Sequence, residues 1–217
     1  MSRTFLRRKP TKSDVAGSED SDLSSGEGTS RVKLIVGLGN PGPRYDSTRH
    51  NVGWWAADRL ADDWGLGGFE SKGAAMVARG SVASQPVIVM KPTTFMNRSG
   101  TALAHLLTSQ ALDPSVDLMV LVDDATRPPG GLRLRGSGGA GGHNGLKSLE
   151  ALLGKGYPRL RIGVGTPPAE VDLASWVLDS MPPEDEDLVL EALSQIPEGL
   201  EIWLREGVEA AMNRLNR

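Results

Sequence analysis

Four short aliphatic runs restrict this chain to a layered α/β fold, because each stops at a polar residue or a glycine and stretches of helical period separate them. Residues 32–36 run into Gly37, residues 87–90 into Lys91 and Pro92, residues 118–122 into Asp123 and Asp124, and residues 159–164 into Gly165. Their length and β-branched content predict buried strands. Residues 74–79 and 132–135 read as further strands. Between them, Val52, Trp55, Ala56, Arg59 and Leu60 recur at spacings of three and four, predicting a helix from Asn51 to near Gly65. Leu103, Leu106 and Leu107 predict a second helix over residues 99–109, and residues 146–153 a third. After Pro167 and Pro168, residues 169–179 and 183–216 read as helical, with a break near Pro197 and Gly199. Strands alternating with helices imply one α/β domain.

The loop after the first run decides what kind of site such a domain could carry. Gly37, Gly39 and Gly42 satisfy the GxGxxG spacing of a dinucleotide pyrophosphate cradle. The helix of such a cradle should begin among the glycines, whereas Pro41 and Pro43 remove N–H donors there and push their predecessors out of helical geometry. Asp58, Asp62 and Asp63 fall inside the helical pattern, so no acidic residue closes a second strand to hold a ribose. The glycines and prolines turn the chain sharply and deliver Asn40 and His50 to a strand end.

Composition narrows the chemistry. The 217 residues suffice for one domain with a well-buried core, and the absence of cysteine excludes disulfides, zinc-thiolate sites and a thiol nucleophile. No apolar run approaches the roughly 20 residues needed to cross a bilayer, which predicts no membrane association and a cytoplasmic protein. Residues 1–30 are rich in Ser, Gly and charge, and predict a disordered tail ahead of a domain at 31–217. The tail carries five basic and five acidic side chains and residues 181–217 three and nine, so a net charge of −3 leaves the middle at +3. Arg127, Arg133, Arg135 and Arg161 fall near the candidate loops, which permits local phosphate contacts.

Three histidines are present, at 50, 105 and 143. His105 lies within a helical pattern and reads as structural. His50 follows the tight loop and enters a helix, where the positive end of the helix dipole favours a neutral imidazole able to accept a proton. In α/β sheets ligands sit beyond the carboxyl ends of strands, and those ends supply Asn40, Met96, Asn97 and Asp123, with the glycine-rich loop 136–145 adding His143 and Asn144. An Asp bonded to one ring nitrogen fixes the tautomer and stabilises the imidazolium that forms, so Asp123 is the expected partner of His50. Asn amides can hold a water or donate to a developing oxyanion without adding charge. There is no GxSxG, no HExxH and no close spacing of His and carboxylates that signals a metal site. Water is the expected nucleophile.

These residues lie in segments that resemble the bacterial peptidyl-tRNA hydrolase family over about residues 32–216. The segments, in family order, are GLGNPGPRYDSTRHNVG, KPTTFMNRSG, the stretch from Asp123 to the PPG ending at Gly130, GGAGGHNGLKSL and RLRIGVG. The resemblance implies a single domain with a twisted mixed sheet flanked by helices on both faces. It also implies hydrolysis of the ester between a peptide and the terminal ribose of tRNA, with no cofactor and no metal. His50 matches the family's base and Asp123 its partner; Asn40, Asn97 and Asn144 match residues lining the site, and Tyr45 and Met96 match cleft residues. Arg135 and Arg161 match basic residues implied to clamp the 5′ phosphate at the acceptor end, a task that suits a forked guanidinium. The family also suggests a monomer.

Two departures bear on this expectation. Members often carry His before the catalytic Asp and an acidic Leu-Asp pair after it, whereas this chain has Val122 before and Asp124, Ala125, Thr126 and Arg127 after. A His often found in the glycine loop is Ala140 here. The altered flank keeps open a competing expectation, a noncatalytic RNA-binding relative like the plant organelle splicing factors that share the fold. A general esterase is a third.

Overall fold

The computed structural model describes residues 31–216, the side chain of His105 excepted, so the tail expected over residues 1–30 lies outside the described residues. Its strands are β1 (Lys33–Gly37), β2 (Glu70–Lys72), β3 (Ala75–Val82), β4 (Gln85–Pro92), β5 (Leu118–Asp124), β6 (Leu132–Arg135) and β7 (Arg159–Gly163). They form one sheet in the order β2-β3-β4-β1-β5-β7-β6. β4, β1, β5 and β7 run parallel, while β3 pairs antiparallel with β4, β2 with β3, and β6 with β7. The four aliphatic runs are therefore the four central parallel strands, and their carboxyl ends share one edge.

Those runs are apolar throughout because both faces of the sheet are covered. Ile35 of β1 and Met119 and Leu121 of β5 face one core, with α1 (Val52–Asp63), α6 (Pro183–Leu193), α7 (Ile196–Glu206) and α8 (Val208–Leu215). Leu34 and Val36 of β1, with Leu118, Val120 and Val122 of β5, face the other, against α2 (Ser99–Gln110) and α4 (Asn144–Leu153). Each such fully buried side chain contributes about 1.5–3 kcal/mol relative to exposure. The single α/β domain with a mixed sheet and helices on both faces is thus the observed architecture.

The glycines of the first motif serve this packing. A Cβ on Gly37 would lie 2.2 Å from the carbonyl oxygen of Gly53, and one on Gly53 would lie 2.5 Å from those of Leu38 and Leu121. α1 thereby seats directly on the ends of β1 and β5 and fixes the position of the turn that precedes it.

Elsewhere the chain departs from the sequence expectations. Only Leu173–Val177 (α5) is helical within 169–179, started by Asp172, whose carboxylate accepts from the N–H groups of Ala174 and Ser175 at 3.0 Å. The C-terminal break falls at Ser194 and Gln195, because Pro197 sits comfortably in the first turn of α7. Gly199 lies inside α7 and admits α8 closely, since a Cβ there would come within 2.5 Å of Leu215. A second break, at Gly207 with φ of 91°, separates α7 from α8. Strand β2 and the short α3 (Pro114–Asp117) were not expected from pattern.

Candidate active site

His50 sits in a 3₁₀ turn, Arg49–Asn51, that leads into α1, and Asp123 lies near the end of β5. Both are buried, and Nδ1 of His50 lies 2.9 Å from Oδ1 and 3.1 Å from Oδ2 of Asp123. His143 reaches the same carboxylate from the glycine loop, with Nε2 2.8 Å from Oδ1. The two rings pack at a centroid separation of 4.7 Å. Burial opposes ionisation of Asp123, but the His143 and His50 rings outweigh it through charge and hydrogen bonds, holding the carboxyl well below the usual carboxylate range.

Hydrogen bonding fixes the tautomers. His143 caps the N-terminus of α4, where its Nδ1 accepts the backbone N–H of Leu146 at 3.2 Å. That nitrogen carries a lone pair, so the proton of neutral His143 is on Nε2 and is donated to Asp123. His50 likewise donates Nδ1–H to Asp123, and its Nε2 has no hydrogen-bond partner among the described residues. His50 lines a cleft of about 210 Å³ together with Asp123, His143 and Asn144. Among the described residues, His50, Asp123 and His143 are the group able to share a metal ion, their ligand atoms lying within 4.8 Å of one another. No close spacing in the sequence signals this group, which assembles from three separate segments.

Asn40 is held by a residue the sequence reading passed over. Its backbone N–H donates to Oδ1 of Asn51 at 2.8 Å, and its carbonyl accepts from Nδ2 of Asn51 at 3.0 Å. Asn51 follows His50 directly, so one turn supplies the imidazole and the brace for the glycine-proline loop. Oδ1 of Asn40 accepts the N–H of Met96 at 2.8 Å, tying the loop after β1 to the segment after β4; both residues are buried and neither lines the cleft of His50. Met96 is buried beside this contact and beneath Gly145, where a Cβ would lie 2.5 Å from its sulfur.

The remaining expected residues are distributed less uniformly. Asn144 opens α4 and lines the cleft, its Oδ1 accepting from Lys147 at 3.4 Å. Asn97 is exposed in a 3₁₀ turn and does not line that cleft. Tyr45 lies in the Pro43–Tyr45 turn with its ring 4.5 Å from the Arg44 guanidinium and is also outside the cleft wall. Arg135 and Arg161 come from adjacent antiparallel strands and line a second, open depression of about 280 Å³ with Arg127 and Arg133. Arg161 also donates to the carbonyl of Gly139 at 2.9 Å and lies 3.7 Å from Asp124, so it braces the loop that carries His143. Asp124, one residue beyond Asp123, borders both hollows, and its Oδ1 accepts the Thr126 N–H at 3.0 Å. Leu173, Ala174 and Val177 of α5 supply the opposite wall of the cleft. Nothing in the sequence singled these out.

A carboxylate-backed imidazole whose second nitrogen has no hydrogen-bond partner among the described residues, at the carboxyl edge of a mostly parallel sheet, fits the class of single-domain α/β hydrolytic enzymes. Comparison with known proteins narrows the class to a family. The model of the peptidyl-tRNA hydrolase family matches residues 34–217. Peptidyl-tRNA hydrolase of Chloroflexus aggregans is 44% identical over 184 residues, covering 84% of this chain and 98% of that protein. The Symbiobacterium thermophilum enzyme of the same name is 47% identical over 190 residues, covering 85% and 99%. The crystal structure of peptidyl-tRNA hydrolase from Acinetobacter baumannii superposes with a TM-score of 0.81 at 33% identity, covering 88% of this chain and 97% of that one. The chain belongs to the peptidyl-tRNA hydrolase family, and its activity is the hydrolysis of an ester bond.

Proposed function

We propose that the chain hydrolyses the ester joining a peptide, or an N-blocked amino acid, to the 3′-terminal ribose of tRNA, with His50 as general base. The free Nε2 of His50, with Nδ1 held by Asp123 at 2.9 Å, carries this reading. Water gives its proton to Nε2 and adds to the ester carbonyl; the imidazolium is stabilised by the buried Asp123 carboxylate. Collapse of the tetrahedral intermediate expels the ribose oxygen, which takes the proton back from His50, so the products are the peptide acid and tRNA with a free 3′ hydroxyl. The Nδ2 of Asn40 is the donor assigned to the developing oxyanion, and Asn97 and Asn144 are assigned to the substrate around it. His143 cannot serve as the base, because its Nδ1 is taken by the Leu146 N–H and its Nε2 by Asp123.

The acceptor stem is assigned to the depression lined by Arg135 and Arg161, where forked guanidinium groups suit the 5′ phosphate. Such contacts position the acceptor end without reading sequence. Among the described residues no helix is long and apolar enough to cross a membrane. A monomer acting in the cytoplasm, with residues 31–217 as the catalytic domain behind an appended tail, completes the proposal. The RNA-binding alternative gains no support from the Asp123 flank, since Val122 points into the core and the His50–Asp123 contact is complete. Release of peptide from N-blocked aminoacyl-tRNA by the purified protein tests the reading; an inactive wild type on several such substrates would reject it.

A further inference from the structure

Arg49, immediately before His50, is only 2% exposed, and its guanidinium bonds to carbonyl groups and stacks on an aromatic ring, with Asp179 and Asp185 favouring its charge from farther off. The two N–H groups of its Nη1 are shared among the carbonyl oxygens of Trp176 at 3.2 Å, Asp179 at 3.2 Å and Ser180 at 2.9 Å. The guanidinium carbon lies 3.6 Å from the centroid of the Trp176 ring. The backbone N–H of Arg49 donates to Asp179 at 3.1 Å, and Thr48 forms an isolated β-bridge with Ser180. At its other edge the Trp176 indole N–H donates to the carbonyl of Gly165, just beyond β7, at 2.9 Å. The segment from Gly165 to Ser180 is thus fastened at one end to the sheet and at the other to the turn that carries His50.

Burying a guanidinium is costly, and a purely structural tie here could have been made with an apolar side chain. What the charge supplies is a grip on carbonyls that converge at and just beyond the C-terminal end of α5, where Asp179 and Asp185 add favourable charge. That helix is the one whose Leu173, Ala174 and Val177 wall the cleft opposite His143 and Asn144. We infer that Arg49 is a positioning residue: by clamping Trp176 and the end of α5 to the His50 turn, it sets the wall against which the peptide part of the substrate packs. The inference rests on the hydrolase reading. It assigns Arg49 to peptide affinity and not to the proton chemistry, because the His50–Asp123 contact is made without it.

The test compares full-length wild type, Arg49→Lys, Trp176→Phe and the double variant, using N-blocked aminoacyl-tRNA as substrate and deacylated tRNA as competitive inhibitor. Arg49→Lys keeps the charge but loses the planar group that stacks on Trp176. Its KM is expected to rise by about tenfold, while kcat, the pH profile of kcat and the inhibition constant of deacylated tRNA stay within about twofold. Trp176→Phe should raise KM in the same sense, and the double variant should be no worse than the poorer single one, as for two residues acting as a unit. If Arg49→Lys is not recovered folded, Trp176→Phe carries the same KM-against-kcat test. An unchanged KM in a folded variant of an active enzyme overturns the clamp alone, as does a fall in kcat with a shifted pH profile, which would mean that Arg49 acts through His50. An inactive wild type overturns the hydrolase reading and this inference with it.

Discussion

His50 and His143 both place a ring nitrogen on Oδ1 of Asp123, at 2.9 and 2.8 Å, yet of the two only His50 keeps a nitrogen without a hydrogen-bond partner among the described residues. The backbone N–H of Leu146 makes the difference, since it occupies the second nitrogen of His143. His50→Ala is therefore expected to lose about 10²–10⁴-fold in kcat, the scale of a general base, with its thermal transition near that of the wild type. His143→Ala should lose only about tenfold, as an outer partner of the carboxylate. Single-turnover release of N-blocked amino acid from tRNA measures both, and equal losses would contradict the division of roles.

Asn51 is predicted to matter for the loop and not for proton transfer. Its amide satisfies both backbone groups of the buried Asn40. Asn51→Ala leaves that N–H and carbonyl without partners, so a loss of about 1–3 kcal/mol per unsatisfied group is expected in denaturant unfolding. Activity should fall with it, because Asn40 and its contact with Met96 are no longer held.

How much of this was legible in the sequence follows from the range of each interaction. The central strands were legible because burial on both faces makes them continuous apolar runs that end abruptly, and Asn40, Asp123 and the loop bearing His143 follow from those ends. The edge strand β2 was not, since Glu70, Ser71 and Lys72 are all exposed and join the sheet by pairing with β3. The arginine clamp on α5 joins residues more than 120 positions apart, through backbone carbonyls that no side-chain pattern reveals. Gly37 and Gly39 matched a phosphate motif by spacing, whereas in the structure a Cβ on either would meet α1, at the carbonyl of Gly53 and at the Trp54 ring.

Tyr157 gives a prediction about alkaline stability. Its hydroxyl is buried without a hydrogen-bond partner among the described residues, and burial pushes its pKa up to about 12, Arg159 opposing the rise and Glu150 adding to it. An unfolded tyrosine loses its proton near pH 10, so between pH 10 and 12 the unfolded state binds fewer protons than the native state. The stability contributed by the protonated phenol is present below pH 10 and is lost as pH rises through 12, at about 1.4 kcal/mol per pH unit. Tyr157→Phe should match or exceed the wild type at pH 7 and lack this decline, as followed by chemical unfolding at a series of pH values.

Arg135 is exposed on β6 beside Arg161, in the depression proposed for the acceptor phosphate. Arg135→Ala is expected to raise KM for the tRNA substrate while sparing kcat, and to reduce the slope of log affinity against log salt by about 1. An unchanged salt slope would place the phosphate elsewhere.

The central claim is that Asp123 holds His50 in the tautomer that exposes a lone pair at Nε2, and Asp123→Asn tests it most directly. The amide fills the same space but can donate to Nδ1, placing the ring proton on Nε2 where the base is needed. Single-turnover hydrolysis of N-blocked aminoacyl-tRNA by a folded Asp123→Asn protein is predicted to slow by about 10²–10⁴-fold with substrate affinity retained. Hydrolysis within about threefold of the wild type would contradict the account.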